Sequence, residues 1–409
     1  MRSSFAWLWT GQAFSVFASS FALLAIPSVA ILTLNATPLE VGALEALATI
    51  GFPVLGLPAG VWIDRWLRSR VLAVANLGRA IALVSIPIAA RIGALTILWL
   101  AIVALIVGSL DVFFTIAYQA VVPEIVPTSD LPAANARLES TDSLARAVGT
   151  GGGGALVGLF GGASAVIAIA LAYAASSAAL FNMKVLSREG TASHARASFW
   201  RELREGLSAA FRAPAIPQLI GCTATACLGL STVMAAYLLF IYRTLHFTPV
   251  TAGLIMVFGE VGFLGALMTP RIQARIGAIP TLISAQIGGG IAGVVMPLAA
   301  FVGPFPAKIA LLITAQVLLT CSIPICNIIQ NSYRQSVVPA ALQGRVNATA
   351  RAIIWGTLPV GSALGGLLAN ELGPPIALFC GGLIMLGAAA WLLTPAVAAL
   401  RRRAVVLET

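Results

Sequence analysis

The sequence predicts an all-α polytopic membrane protein, with twelve transmembrane helices in two pseudo-symmetric six-helix bundles. Three observations predict it. Of 409 residues, 59% are apolar and only 9% charged, where a soluble domain carries about 25% charged residues; the mean hydropathy is +0.98. Apolar stretches follow one another along the whole chain, each near the roughly 20 residues that cross a bilayer. The two halves also resemble each other. Together these features exclude a soluble enzyme, a nucleic-acid reader and a secreted disulfide scaffold.

Runs between charges and turn residues place the spans near 6–34, 38–63, 71–91, 94–120, 133–160, 162–186, 215–242, 249–270, 278–302, 305–333, 344–370 and 373–398. None shows the alternation of a barrel strand, so each must satisfy its backbone polar groups as a helix. The opening MRSSFAWLWT leads into the first apolar run without a small-residue cleavage site and reads as a retained span. With both termini in the cytoplasm, eighteen of the 24 Lys and Arg fall on the cytoplasmic side. Arg91, Arg243 and Lys308 fall outside, and Arg79, Arg146 and Arg351 within spans. That asymmetry is the positive-inside rule, and it accounts for the net charge of +10 without a nucleic-acid partner. The five cysteines all lie in apolar stretches without metal-ligand spacing, and His194 and His246 are isolated, so no metal site is expected.

Residues 187–214 are polar and divide the chain into bundles at 1–186 and 215–409. Within them Phe199, Leu203, Leu207 and Phe211 recur every four residues, as in a short amphipathic helix. Such a helix lies on the cytoplasmic membrane face or packs on neighbouring loops. Val-Val-Pro before span five recurs before span eleven, and from Asn135 and Asn347 the halves align at an offset of 212. The alignment pairs Gly149 with Gly361, Gly153 with Gly365 and Gly154 with Gly366. These glycines are read as helix-packing positions. Two such repeats joined by a cytoplasmic linker are the organisation of a rocking two-bundle transporter.

Between spans two and three stands Gly60-Val-Trp-Ile-Asp64-Arg65-Trp-Leu-Arg68. Gly60, and Gly56 one turn earlier, suit a close helix approach. Asp64 at a helix end can pair with cations or a helix N-terminus, forming a cytoplasmic latch; an ordinary charged turn is the plainer reading. This G-x3-D-R-x2-R pattern resembles the loop signature of the major facilitator superfamily. LPAGVWIDRWLRSRVLAVANLGRA, VFFTIAYQAVVPEIV, LPAANARLESTDSLARAVG and SYRQSVVPAALQGRVNATARAIIWGTLPVGSALGG resemble its bacterial drug and metabolite exporters, including siderophore- and macrolide-efflux proteins. The resemblance covers both halves. It implies the major facilitator fold and a proton-driven, outward-directed secondary transporter of the bacterial inner membrane. Three departures stand out. Leu67 replaces the family's usual Gly, and Thr150 stands where the antiporter-type motif has Pro. The family's Asp falls at Thr115, whereas this chain has Asp111 one turn earlier.

Ionisable residues inside a membrane are costly unless paired or facing a cavity. Glu139, Asp142 and Arg146 share one face of span five, and Asp142 with Arg146 reads as a structural ion pair. Glu139 also remains a proton-coupling candidate. Asp111 has no cation within a turn on its own helix, and the resemblance places span four at the transport cavity. It is therefore the leading coupling carboxylate, followed by Glu45 and Glu260; the plainer role of those two is pairing with Arg79 or Arg351, or a hydrogen-bonded helix contact.

Substrate-cavity candidates are Gln12, Ser15, Tyr118, Gln119, Tyr237, Asn327, Gln330 and Asn331, with interhelical hydrogen bonding as their alternative role. An apolar cavity with one or two acids suits an amphiphilic or cationic small molecule. The resulting expectation is a monomeric, cofactor-free exporter that moves small amphiphilic compounds against protons in the lipid bilayer. A proton symporter importing a metabolite or lipid fragment and a transporter-like sensor are the two alternatives.

Overall fold

The computed structural model describes residues 2–63, 66–127, 130–183, 208, 211 and 213–397, all helix, turn or irregular, with no strand among them. Span one is α1 (Arg2–Ser28), extended by a π-helical turn over Val29–Thr33. Span two is α2 (Pro38–Thr49) followed by α3 (Gly51–Ile63). Then come α4 (Arg68–Arg91), α5 (Ile97–Ile125), α6 (Leu131–Phe160) and α7 (Gly162–Phe181). The second half opens with α8 (Ile216–Leu239) and a π-helical turn over Phe240–Thr244. Span eight is α9 (Pro249–Gly259), a 3-10 turn at Glu260–Gly262 and α10 (Phe263–Ile276). It is followed by α11 (Ala278–Val295), α12 (Phe305–Val337), α13 (Ala340–Glu371) and α14 (Pro374–Gly387).

Eleven helical stretches among the described residues are long and apolar enough to cross a membrane. The remaining expected span is α6, whose 30 residues include Arg137, Glu139, Asp142 and Arg146, lowering its hydropathy. Of the linker helix, Phe199, Leu203 and Leu207 lie outside the described residues, as do Asp64 and Arg65 of the loop motif.

The first two spans of each half repeat one turn. Thr33-Leu34-Asn35-Ala36-Thr37-Pro38 corresponds to Thr244-Leu245-His246-Phe247-Thr248-Pro249. In both, a π-helical turn closes the helix through Leu34 N to Val29 O (3.2 Å) and Leu245 N to Phe240 O (3.0 Å). Asn35 (φ 51°) and His246 (φ 55°) then take the left-handed conformation, which Asn and His adopt more readily than most residues. Thr37 and Thr248 cap the next helix by accepting from Glu40 N and Thr251 N. Pro occupies the first helical position, where its missing N–H costs nothing. His246 is thus a turn residue.

The described residues divide into two compact units, 1–189 with 238–260 and 190–237 with 261–409. In the first, α4 packs on α5 and α7, α1 on α6 and α7, α2 and α3 on α5, and α9 on α6. Lipid gives helices little hydrophobic reason to associate, so close backbone approach and polar contacts hold them. The α1–α4–α7 seam is built in this way. Asn76 donates to Ser176 Oγ (2.7 Å), Ser176 to Gly11 O (2.5 Å), and Ser177 to Ala73 O (2.8 Å). In the second unit α11 packs on α12 and α14, α10 on α12, and α13 on α14. There Gln286 Nε2 donates to Met385 O at 3.0 Å.

Candidate functional site

In the first unit α1, α2, α5 and α7 enclose a cavity of 260 Å3, lined by apolar side chains together with Ser19, Glu45, Thr49, Asp111 and Tyr173. Asp111 comes from the middle of α5 and does reach the cavity, but it is paired. Arg79 of α4 places Nη2 2.6 Å from Asp111 Oδ1. Arg79 is 1% exposed, and Nη1 donates to Asn76 Oδ1 at 3.2 Å. Its guanidinium lies 5.0 Å from the Phe114 ring and 5.3 Å from that of Tyr173, a favourable place for a cation. Asp111 has no cation within a turn on its own helix, as expected, and takes its counter-ion from α4. Arg79 serves Asp111, so Glu45 does not take it up. Glu45 lines the same cavity, and its carboxylate has neither hydrogen-bond nor ion-pair partner among the described residues.

A second pocket, of 420 Å3, is lined by Tyr118, Gln119, Asn135, Glu139 and Asp142 with apolar neighbours from α5 and α6. The expected Asp142–Arg146 ion pair is not formed. Arg146 points to Glu139 (3.4 Å) and to Glu260 (3.9 Å), in the turn after α9. Asp142 instead accepts from Gln12 Nε2 of α1 at 3.3 Å. The reason is directional: a helix brings i and i+4 near each other, but the turn after α9 supplies Arg146 with another acid. Two of the coupling candidates, Glu139 and Glu260, therefore share one guanidinium.

Arg68 of the loop motif forms an ion pair with Glu124 and also donates to Ala120 O at 3.3 Å, joining the start of α4 to the end of α5. A Cβ added at Gly60, or at Gly56, would meet no described atom within 4 Å. The expected close approach is absent there among the described residues. The repeat glycines behave differently. A Cβ at Gly149 would lie 2.7 Å from Phe17 O, and one at Gly153 2.8 Å from Phe21 Cδ2, both on α1. One at Gly154 would lie 2.5 Å from Pro249 O. Gly361 and Gly365 abut α8 at Leu228, Ser231 and Thr232, and Gly366 is buried in α13.

The other cavity candidates disperse. Ser15 is buried, Tyr118 stacks on Phe114 (6.2 Å), and Gln119 is exposed at the second pocket. In the second unit Gln330 accepts from Thr223, Asn331 accepts from Arg334 at 2.8 Å, and Asn327 is exposed. Tyr237 is buried with its hydroxyl unbonded, and Arg351 lies 5.6 Å from the Trp355 ring. Glu124, Asn76 and Tyr173 were not legible as site residues, because they act across helices and carry no local motif. The described residues contain no cluster of three or more metal-ligating His, Cys, Asp or Glu.

Membrane-length helices that enclose acid-lined cavities define a membrane transport protein. The sequence model of the Major Facilitator Superfamily matches residues 8–357, and the chain belongs to that family. It is 27% identical over 352 residues to the multidrug efflux pump Tap of Mycolicibacterium fortuitum, covering 83% of each chain. It is 26% identical over 373 residues to the uncharacterized MFS-type transporter YfiS of Bacillus subtilis (strain 168), covering 89% of this chain and 86% of that one. Among solved structures it is similar to the nucleoside transporter NupG, with TM-score 0.77, 14% identity and coverage of 96% and 100%. It is also similar to a bacterial homologue of the iron transporter ferroportin, with TM-score 0.73, 15% identity and coverage of 95% and 99%. At these identities the structural likenesses establish the fold. The protein is a multi-pass transporter and not an enzyme.

Proposed function

We propose that this protein exports small amphiphilic organic compounds, such as drugs, antibiotics, siderophores or other metabolites, in exchange for protons. It would do so by alternating access across the bacterial inner membrane, as a monomer without a cofactor, with both termini in the cytoplasm. Two repeats, 1–186 and 215–409, joined by 187–214, would supply the moving parts, and Asp64, Arg65 and Arg68 the cytoplasmic gate.

Glu45 carries the reading. A carboxylate without a counter-ion beside an apolar cavity of 260 Å3 is suited to take up and release a proton as that cavity exchanges its contents. Asp111, already matched by Arg79, is the weaker candidate. Similarity to Tap supports the outward direction and the drug-like substrate class.

The test uses everted membrane vesicles with an acidic interior and a panel of cationic, neutral and anionic amphiphiles. Collapse of the gradient that requires both the protein and one compound class is the expected result, and Glu45→Gln abolishes it. A gradient that stays intact with every compound, with folded protein present, overturns the proposal.

A further inference from the structure

The contact between Asp142 and Gln12 leaves two atoms unaccounted for. Gln12, 7% exposed, donates from Nε2 to Asp142 Oδ2 at 3.3 Å. The other oxygens of the same two groups, Gln12 Oε1 and Asp142 Oδ1, are both buried and without a donor among the described residues. Two buried acceptors with nothing to accept are costly, and more so where the group is charged. An ionised Asp142 would make the second of these a bare anionic oxygen. The nearby cation supplies no donor to that oxygen, because Arg146 makes its contacts to Glu139 and Glu260. Around this point three carboxylates, Glu139, Asp142 and Glu260, stand near one guanidinium, which contacts the first and the last.

We infer that Asp142 holds a proton on Oδ1 and donates it to Gln12 Oε1, closing an acid–amide ring that clasps α6 to α1. One proton then satisfies both orphaned oxygens, while Nε2–H to Oδ2 forms the ring's other hydrogen bond. It also removes one of the three negative charges competing for Arg146. The groups facing Asp142 are Gln12 from α1, Tyr118 from α5, Glu139 and Arg146 from α6 and, beyond α9, Glu260 through Arg146. None of them supplies another donor to Oδ1.

The ring can open, because Asp142 also lines the 420 Å3 pocket. When the ring parts and its proton passes to water there, Asp142 becomes an anion and no longer donates to Gln12 Oε1. The new charge stands one helical turn before Arg146 and competes with Glu260 for the guanidinium. Loss of one proton therefore loosens two contacts of α6 together, the one to α1 and the one to the turn after α9. Asp142 becomes a second proton-bearing acid beside Glu45, an assignment that rests on the exchange of protons for substrate proposed above.

The test needs neither substrate nor gradient, so its failure leaves the transport reading standing, and failure of the vesicle assay leaves this measurement intact. Purified full-length protein carrying 13C-labelled aspartate is examined by infrared spectroscopy at neutral pH. A protonated-carboxyl band that vanishes in Asp142→Asn and shifts in Gln12→Leu is the expected result. Thermal unfolding gives the second reading. Asn is isosteric with the neutral acid and can rebuild the ring as an amide pair, so Asp142→Asn melts with the wild type. An unchanged infrared spectrum in Asp142→Asn overturns the inference. So does a lower melting temperature or failure to fold in that variant, because both mean that Asp142 is held as an anion.

Discussion

Arg79 and Asp111 form a pair whose two ends face different surroundings. The guanidinium is 1% exposed, whereas the carboxylate 2.6 Å away is 41% exposed toward the cavity. The cation is therefore the end that cannot lose its partner. Asp111→Leu leaves a buried charge held only by Asn76 and two aromatic rings, and should cost about 3 kcal/mol. Arg79→Met costs less, because Asp111 can still reach the cavity. The double variant should recover much of the loss, a non-additivity that thermal unfolding of all four proteins in detergent measures. Additive effects would show that the pair contributes nothing.

Glu45→Gln should leave the melting temperature nearly unchanged while abolishing proton-coupled flux, since no described partner depends on its charge. Asp111→Asn should retain measurable coupled flux, corrected for folded protein. The reverse ranking in vesicles would return the coupling role to Asp111.

Neighbouring glycines in α6 should respond oppositely to alanine. At Gly154 the added Cβ would lie 2.5 Å from Pro249 O and 2.7 Å from Gly253 Cα, backbone atoms that cannot step aside. Gly154→Ala should lower both the melting temperature and transport. At Gly152 it meets nothing within 4 Å, and Gly152→Ala should be neutral or stabilising by up to about 1 kcal/mol through helix propensity.

Arg146→Gln should destabilise the first unit, since Glu139 and Glu260 then lose their shared cation. Adding Glu260→Gln should restore part of the melting temperature. By contrast, Glu124→Gln, which breaks the pair with the 25% exposed Arg68, should cost under about 1 kcal/mol because water screens it.

The fold was legible because its causes are additive along the chain. Hydropathy, positive-inside charge and the repeat around Gly149 and Gly361 each report on a local stretch, and a bilayer leaves helices as the only solution for these spans. The repeated Thr-Leu-x-x-Thr-Pro turn was equally available in the sequence. It shows its meaning once Asn35 and His246 are both found in the left-handed conformation.

By itself the sequence determined the class of protein, its helices, the family resemblance and the set of intramembrane acids from which the coupling group is drawn. Only the tertiary structure decided which acid has a partner. It gave Arg79 to Asp111, Arg146 to Glu139 and Glu260, and Gln12 to Asp142, leaving Glu45 at the cavity without a partner among the described residues. The physical reason is that helical periodicity sets which residues share a face of one helix. Charge pairing in lipid is settled between helices, by crossings that no single segment encodes.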